Sequence, residues 1–88
     1  MPRAPRPIEE RPPVLLTFGR AVRQVRKNRG FSQEAFADLC GIDRSYMGRV
    51  ERGESNLALV NIEKIVRALN MPLSEFFKFV DASSDTQN

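Results

Sequence analysis

The chain has 88 residues, 41% hydrophobic and 28% charged, with fourteen Lys and Arg against eleven Asp and Glu for a net charge of +3. Those proportions fall in the globular range and exclude wholesale disorder, and the length admits one core in one small domain. With no histidine and a single cysteine, Cys40, the chain cannot build a His-based zinc site, a Ser-His-Asp triad or an intrachain disulfide. The charge is unevenly spread: through Arg29, eight basic residues stand against two acidic ones, whereas the last eight residues carry two acids and no base. A basic front half points to a polyanionic partner, nucleic acid before membrane. No run approaches the roughly 18 apolar residues of a membrane span, and "MPRAPRPIEERPP" lacks the apolar core of a signal peptide, so a cytoplasmic location is expected.

Residues 1–13 include five prolines, which excludes a continuous helix and predicts a flexible Pro/Arg-rich arm. From residue 14 to residue 80 no stretch alternates apolar and polar residues long enough for a strand, and the pattern is helical throughout. The first predicted helix runs from Leu16 to Asn28, with Phe18, Val22 and Val25 on one face, and Gly30 stops it. The second has Ser32 as N-cap and runs to Cys40, presenting Phe36, Leu39 and Cys40 inward, with Gly41 supplying the left-handed turn after it. Cys40 therefore reads as a small buried packing residue rather than a reactive thiol. Asp43 caps a third helix, Arg44 to Arg52, closed by Gly53. The fourth spans Val60 to Leu69, with Ile62, Ile65, Val66 and Leu69 at helical spacing, and Pro72 opens a fifth from Leu73 to Val80. Residues 81–88 are polar and expected to be disordered.

Two short helices separated by "GID" form a helix-turn-helix candidate, with the glycine in the turn where the backbone needs it. The segment "FSQEAFADLCGIDRSYMGRVERGE", with "NIEKIVRALNM" after it, resembles the Cro/lambda-repressor-like helix-turn-helix family, also called the XRE family. The resemblance covers roughly residues 18–77 and rests on Ser32-Gln33, Ala37, Gly41, the run Val50 to Gly53, and Ala68-Leu69. Within that family, "DRSYMGRVERG" is similar to the recognition-helix region of restriction-modification controller proteins. The fold it implies is all-α: a five-helix lambda-repressor-like DNA-binding domain over residues 14–80.

At 100° per residue, Met47 and Val50 of the third helix point one way, while Arg44, Ser45, Gly48, Arg49 and Arg52 spread over the opposite arc. Gly48 costs about 1 kcal/mol of helix propensity relative to Ala, so its use is close backbone approach to another surface, such as a DNA major groove. The resemblance puts Arg44 and Ser45 in the first turn of the recognition helix, which reads base edges, and Arg44 has the fork to pair with guanine O6 and N7. Arg49 is assigned to base or phosphate, and Gln33, at the start of the second helix, to a DNA phosphate. Tyr46 flanks this face, either donating its hydroxyl to a phosphate or packing on the second helix. Arg20, Arg23, Lys27 and Arg52 read as solvated charge that adds non-specific attraction. The resemblance also implies a buried ion pair between Arg26 and Glu51. Arg3 and Arg6 read as a solvated part of the arm, with a minor-groove contact as the alternative. Where the family often has Pro-Ser before the fourth helix, this chain has Leu57-Ala58, leaving Asn56 or Asn61 as candidate caps.

These residues and the resemblance together imply a sequence-specific DNA-binding transcription regulator, a homodimer on a palindromic operator of double-stranded DNA, of the autoregulatory repressor or restriction-modification controller type. No cofactor, metal or small-molecule ligand is expected, and no enzyme, because no nucleophile, base and orienter can be assembled. Two alternatives stand beside it: an antitoxin whose partner is a toxin protein, and a protein-interaction module. Helix five carries the dimer expectation. Phe76, Phe77 and Phe79 crowd one short helix; Leu73 and Phe76 are expected to close the monomer's core, leaving Phe77, Phe79 and Val80 for a two-fold partner.

Overall fold

Pro12 and Pro13 start the first helix rather than delaying it. In the computed structural model, which describes residues 6–85 with side chains through Ser83, helix α1 spans Pro13–Asn28 with Pro13 at its first position. Its fixed φ suits a helix start, and its missing N–H is one that no helix bonds internally. The helix thus begins before the expected Leu16, and the Thr17 hydroxyl donates to the Pro13 carbonyl at 2.9 Å. The segment before it is not simply extended, since Ile8–Glu10 forms a 3-10 turn. Arg3 and residues 86–88 lie outside the described residues.

Helix α2 is Gln33–Cys40 and α3 is Arg44–Glu51. Each begins at a side-chain cap: Ser32 Oγ accepts from the Ala35 N–H at 3.0 Å, and Asp43 Oδ2 from the Tyr46 N–H at 3.2 Å. Between them Gly41 adopts φ +69°, and the Gly41 and Ile42 N–H groups bond the Asp38 and Ala37 carbonyls at 3.1 and 2.9 Å. A left-handed residue donating in this pattern stops one helix and turns the chain into the next. The same pair of bonds ends α3, where the Glu54 N–H reaches the Arg49 carbonyl at 2.9 Å and so fixes where Glu54 begins.

Helices α4 (Leu59–Ala68) and α5 (Leu73–Asp85) complete the all-α architecture, and α5 runs past the expected end at Val80. Its last residues contain neither Pro nor Gly, and polar composition alone does not end a helix. Helix α4 has Ala58 at its N-cap with no side-chain hydrogen bond, and Asn61 is engaged elsewhere. The core gathers Phe18, Ala21 and Val22 from α1, Phe36, Ala37 and Cys40 from α2, Met47 and Val50 from α3, Ile65, Val66 and Leu69 around α4, and Phe76 and Val80 from α5. Each fully buried large apolar side chain contributes about 1.5–3 kcal/mol. The Phe18 and Phe76 rings meet edge to face with centroids 5.4 Å apart.

Three expectations about facing are corrected. Val80, assigned to a dimer surface, is 4% exposed and belongs to the monomer's core, because it lies one turn after Phe76 on the face that meets α1. Leu73, expected to close the core, is 36% exposed. Leu39, expected to point inward, is 55% exposed, since Phe36 and Cys40 already take the inward stripe of α2.

Candidate nucleic-acid interface

A buried polar network joins the interior to the start of α2. Arg26 Nε and Nη2 donate to Glu51 Oε2 and Oε1 at 2.7 and 3.0 Å, and Arg26 Nη1 donates to the Phe31 carbonyl at 2.8 Å. Glu51 Oε1 accepts a further bond from Gln33 Nε2 at 3.1 Å. Taking two charges out of water is costly, and these hydrogen bonds offset that cost. Its consequence at the surface is that Gln33 is tied to the core by its own amide.

The two helices of the turn motif enclose an open concavity of about 310 Å³ lined by Gln33, Arg44, Ser45, Gly48, Arg49, Arg52 and Glu54. Arg44, Ser45, Arg49 and Arg52 are exposed around it. The structure therefore brings together all but one of the residues singled out for DNA contact. Tyr46 stands to the side: its hydroxyl accepts from Asn61 Nδ2 at 3.3 Å, and the Arg49 guanidinium lies 5.5 Å from the centroid of its ring. Cation–π contact restrains an arginine that would otherwise sample many rotamers, and Asn61 leaves the Tyr46 hydroxyl proton free to donate outward.

Gly48 differs from its expected setting. It is buried, because a Cβ there would lie 3.0 Å from Arg52 Nη1 and 3.6 Å from Gln33 Oε1. The glycine makes room for two of the chain's own polar side chains at the floor of the concavity.

Arg52 is less free than solvated charge. Its Nε and Nη2 donate to Glu54 Oε2 and Oε1 at 2.8 and 3.3 Å. That bond holds the Glu54 carboxyl below its ordinary pKa and raises that of Arg52. Arg11 approaches from the other side, with Nη1 donating to the Arg52 carbonyl at 2.8 Å and Nη2 3.6 Å from Glu54 Oε2. Sequence reasoning missed Arg11 and Glu54, and it offered Asn61 only as a helix cap, whereas its amide bonds Tyr46. Glu54 stands two residues from Arg52, a weak signal, whereas Arg11 is 41 residues away and no periodicity links them.

Among the described residues no helix is long and apolar enough to cross a membrane, and no group of three or more His, Cys, Asp or Glu is arranged to hold a metal ion.

Two helices joined through a left-handed glycine, the second edged with arginine above a polar floor, define a helix-turn-helix module. The family described as helix-turn-helix matches residues 22–76, and the chain belongs to it. In particular, it is similar to the control protein C.MunI of Mycoplasma sp, at 38% identity over 69 residues, which cover 77% of this chain and 93% of that protein. Among solved structures, the restriction-modification controller protein C.AhdI from Aeromonas hydrophila is 48% identical, with a TM-score of 0.68 over 70% of this chain and 94% of the other. C.Esp1396I bound to a 25 base pair operator site is 26% identical, with a TM-score of 0.74 over 80% and 92% of the two chains.

Proposed function

We propose that the chain is a sequence-specific DNA-binding transcription regulator of the restriction-modification controller type, acting as a homodimer on a palindromic operator. The observation that carries this reading is the concavity where Gln33, Arg44, Ser45, Arg49 and Arg52 converge across α2 and α3. In the proposed complex Arg44 and Ser45, at the exposed start of α3, read base edges, with Arg44 bidentate on guanine. Gln33, at the start of α2, donates to a phosphate and sets the register. Arg49 and Arg52 meet base or backbone further along, and Tyr46 donates its hydroxyl to the sugar-phosphate edge. The likeness to C.AhdI and to an operator-bound C.Esp1396I supports this assignment.

The test is selection of bound sites from random duplex DNA, followed by titration of Arg44→Ala and Gln33→Ala. Arg44→Ala is expected to cost roughly 1–3 kcal/mol and to relax preference at one base pair per half-site, while Gln33→Ala weakens all sites alike. Absence of an enriched motif, or equal losses on matched and mismatched sites for Arg44→Ala, would remove the reading.

A further inference from the structure

Arg11 precedes the residues matched by the family, 22–76, yet it is built into the end of the recognition helix. Its side chain is only 12% exposed, and it is fully engaged: Nε on the Arg6 carbonyl at 2.7 Å, Nη1 on the Arg52 carbonyl at 2.8 Å, Nη2 facing Glu54. Glu54 is similarly covered, its side chain 11% exposed, whereas that of Arg52 is 57% exposed and edges the concavity. One carboxylate thus has two guanidiniums, one anchored and one at the surface.

We propose that Arg11 is a positioning residue for DNA binding, the standing countercharge that lets Arg52 exchange Glu54 for a DNA phosphate. The inference rests on the DNA-binding reading above. A sheltered carboxylate stripped of its partner is costly, so Glu54 alone would retain Arg52. With Arg11 beside it, Glu54 keeps a cation when Arg52 swings outward, so the bond to Arg52, which is exposed on the arginine side, can give way. The Arg11 bond to the Arg52 carbonyl meanwhile fixes the backbone from which the swing occurs.

The experiment measures salt dependence of binding for the full chain on a duplex carrying its selected site, using wild type, Arg11→Met, Arg52→Met, the double variant, and Arg11→Met with Glu54→Gln. Circular dichroism establishes that each is folded. Arg52→Met is expected to lower the slope of log K against log salt by about 0.9 per protomer, one phosphate contact. Arg11→Met should lower it similarly, the double variant no further, and Glu54→Gln should restore the slope in the Arg11→Met background by releasing Arg52. Losses that add in the double variant would mean that Arg11 acts as an independent charge, and an unchanged slope for Arg11→Met that it is only a structural strap; either overturns the proposal. Failure of the wild type to bind DNA would overturn the functional reading and this inference together, whereas Arg44-dependent binding without Arg11–Arg52 coupling would overturn this inference alone.

Discussion

Gly48 shows how a residue's meaning depends on what its missing side chain would touch. Its would-be Cβ meets the end of the Arg52 side chain at 3.0 Å rather than any backbone, so a methyl group displaces a flexible guanidinium and not the helix. Gly48→Ala is expected to keep the fold and to gain up to about 1 kcal/mol from helix propensity. It should nonetheless weaken operator binding, because the Arg52 guanidinium loses its place at the floor of the concavity. Thermal melts and titrations on the selected site measure the two effects, and an alanine variant that binds as well as wild type would mean that this space is not needed. Cys40 makes a second prediction at this scale. Burial pushes its thiol from an ordinary 9.0 up to about 11, so the thiol stays neutral in the folded state while the unfolded chain ionises. A raised pKa means that this contribution to stability is complete below pH 9 and is lost as pH climbs towards about 11. Denaturant titrations should show wild type losing more stability across that interval than Cys40→Ala; parallel curves would contradict the burial.

Between elements, α1 meets α3 with backbone against backbone at Gly19. A Cβ on Gly19 would lie 2.6 Å from the Glu51 carbonyl oxygen and nearer still to that of Val50, so α1 crosses the end of α3 with no room for a side chain. Carbonyls inside a helix cannot swing aside as Arg52 can. Gly19→Ala should therefore destabilise despite its better propensity, by on the order of 2 kcal/mol, which for a domain of this size lowers Tm by roughly 10 °C. Calorimetry checks this, and an unchanged or raised Tm would mean that the helices separate freely. The crossing also bears on the interface, since it sets the end of α3 where Glu51, Arg52 and Glu54 branch to core, concavity and Arg11.

For the whole molecule, the proposed dimer requires an apolar surface on which a second copy can sit. With Val80 inside the core, the candidate apolar surface consists of the half-buried Phe77 and Phe79 together with Leu59, Val60 and Leu73, which are 73%, 63% and 36% exposed. Phe77 already packs on Phe18 at a centroid distance of 5.9 Å, so part of its surface serves the monomer. Sedimentation at micromolar concentration is expected to find a dimer in the wild type and monomers in a folded Leu59→Glu, Val60→Glu variant or a folded Phe77→Glu, Phe79→Glu variant, according to which set lies at the two-fold axis. A dimer that survives both double substitutions would place the interface elsewhere, and a wild type that stays monomeric would remove the half-site spacing of roughly 34 Å that a palindrome demands.

The sequence by itself determined the features that depend on neighbours along the chain. The Ser32 and Asp43 caps and the stops at Gly30, Gly41 and Gly53 are each written within a few residues, and the inward stripes of α3 and α4 follow the helical period; these sufficed for the turn motif and for collecting the arginines of α3. Tertiary structure decided what depends on residues far apart. That Val80 belongs to the core and Leu39 does not is settled by which helix lies opposite. The room left by Gly19 belongs to the backbone at the end of α3, and that left by Gly48 to Arg52 and Gln33. Arg11 could not be found from the sequence, because a guanidinium that reaches a carbonyl 41 residues away leaves no periodic trace in the chain, only a geometry that exists once α1 has crossed α3.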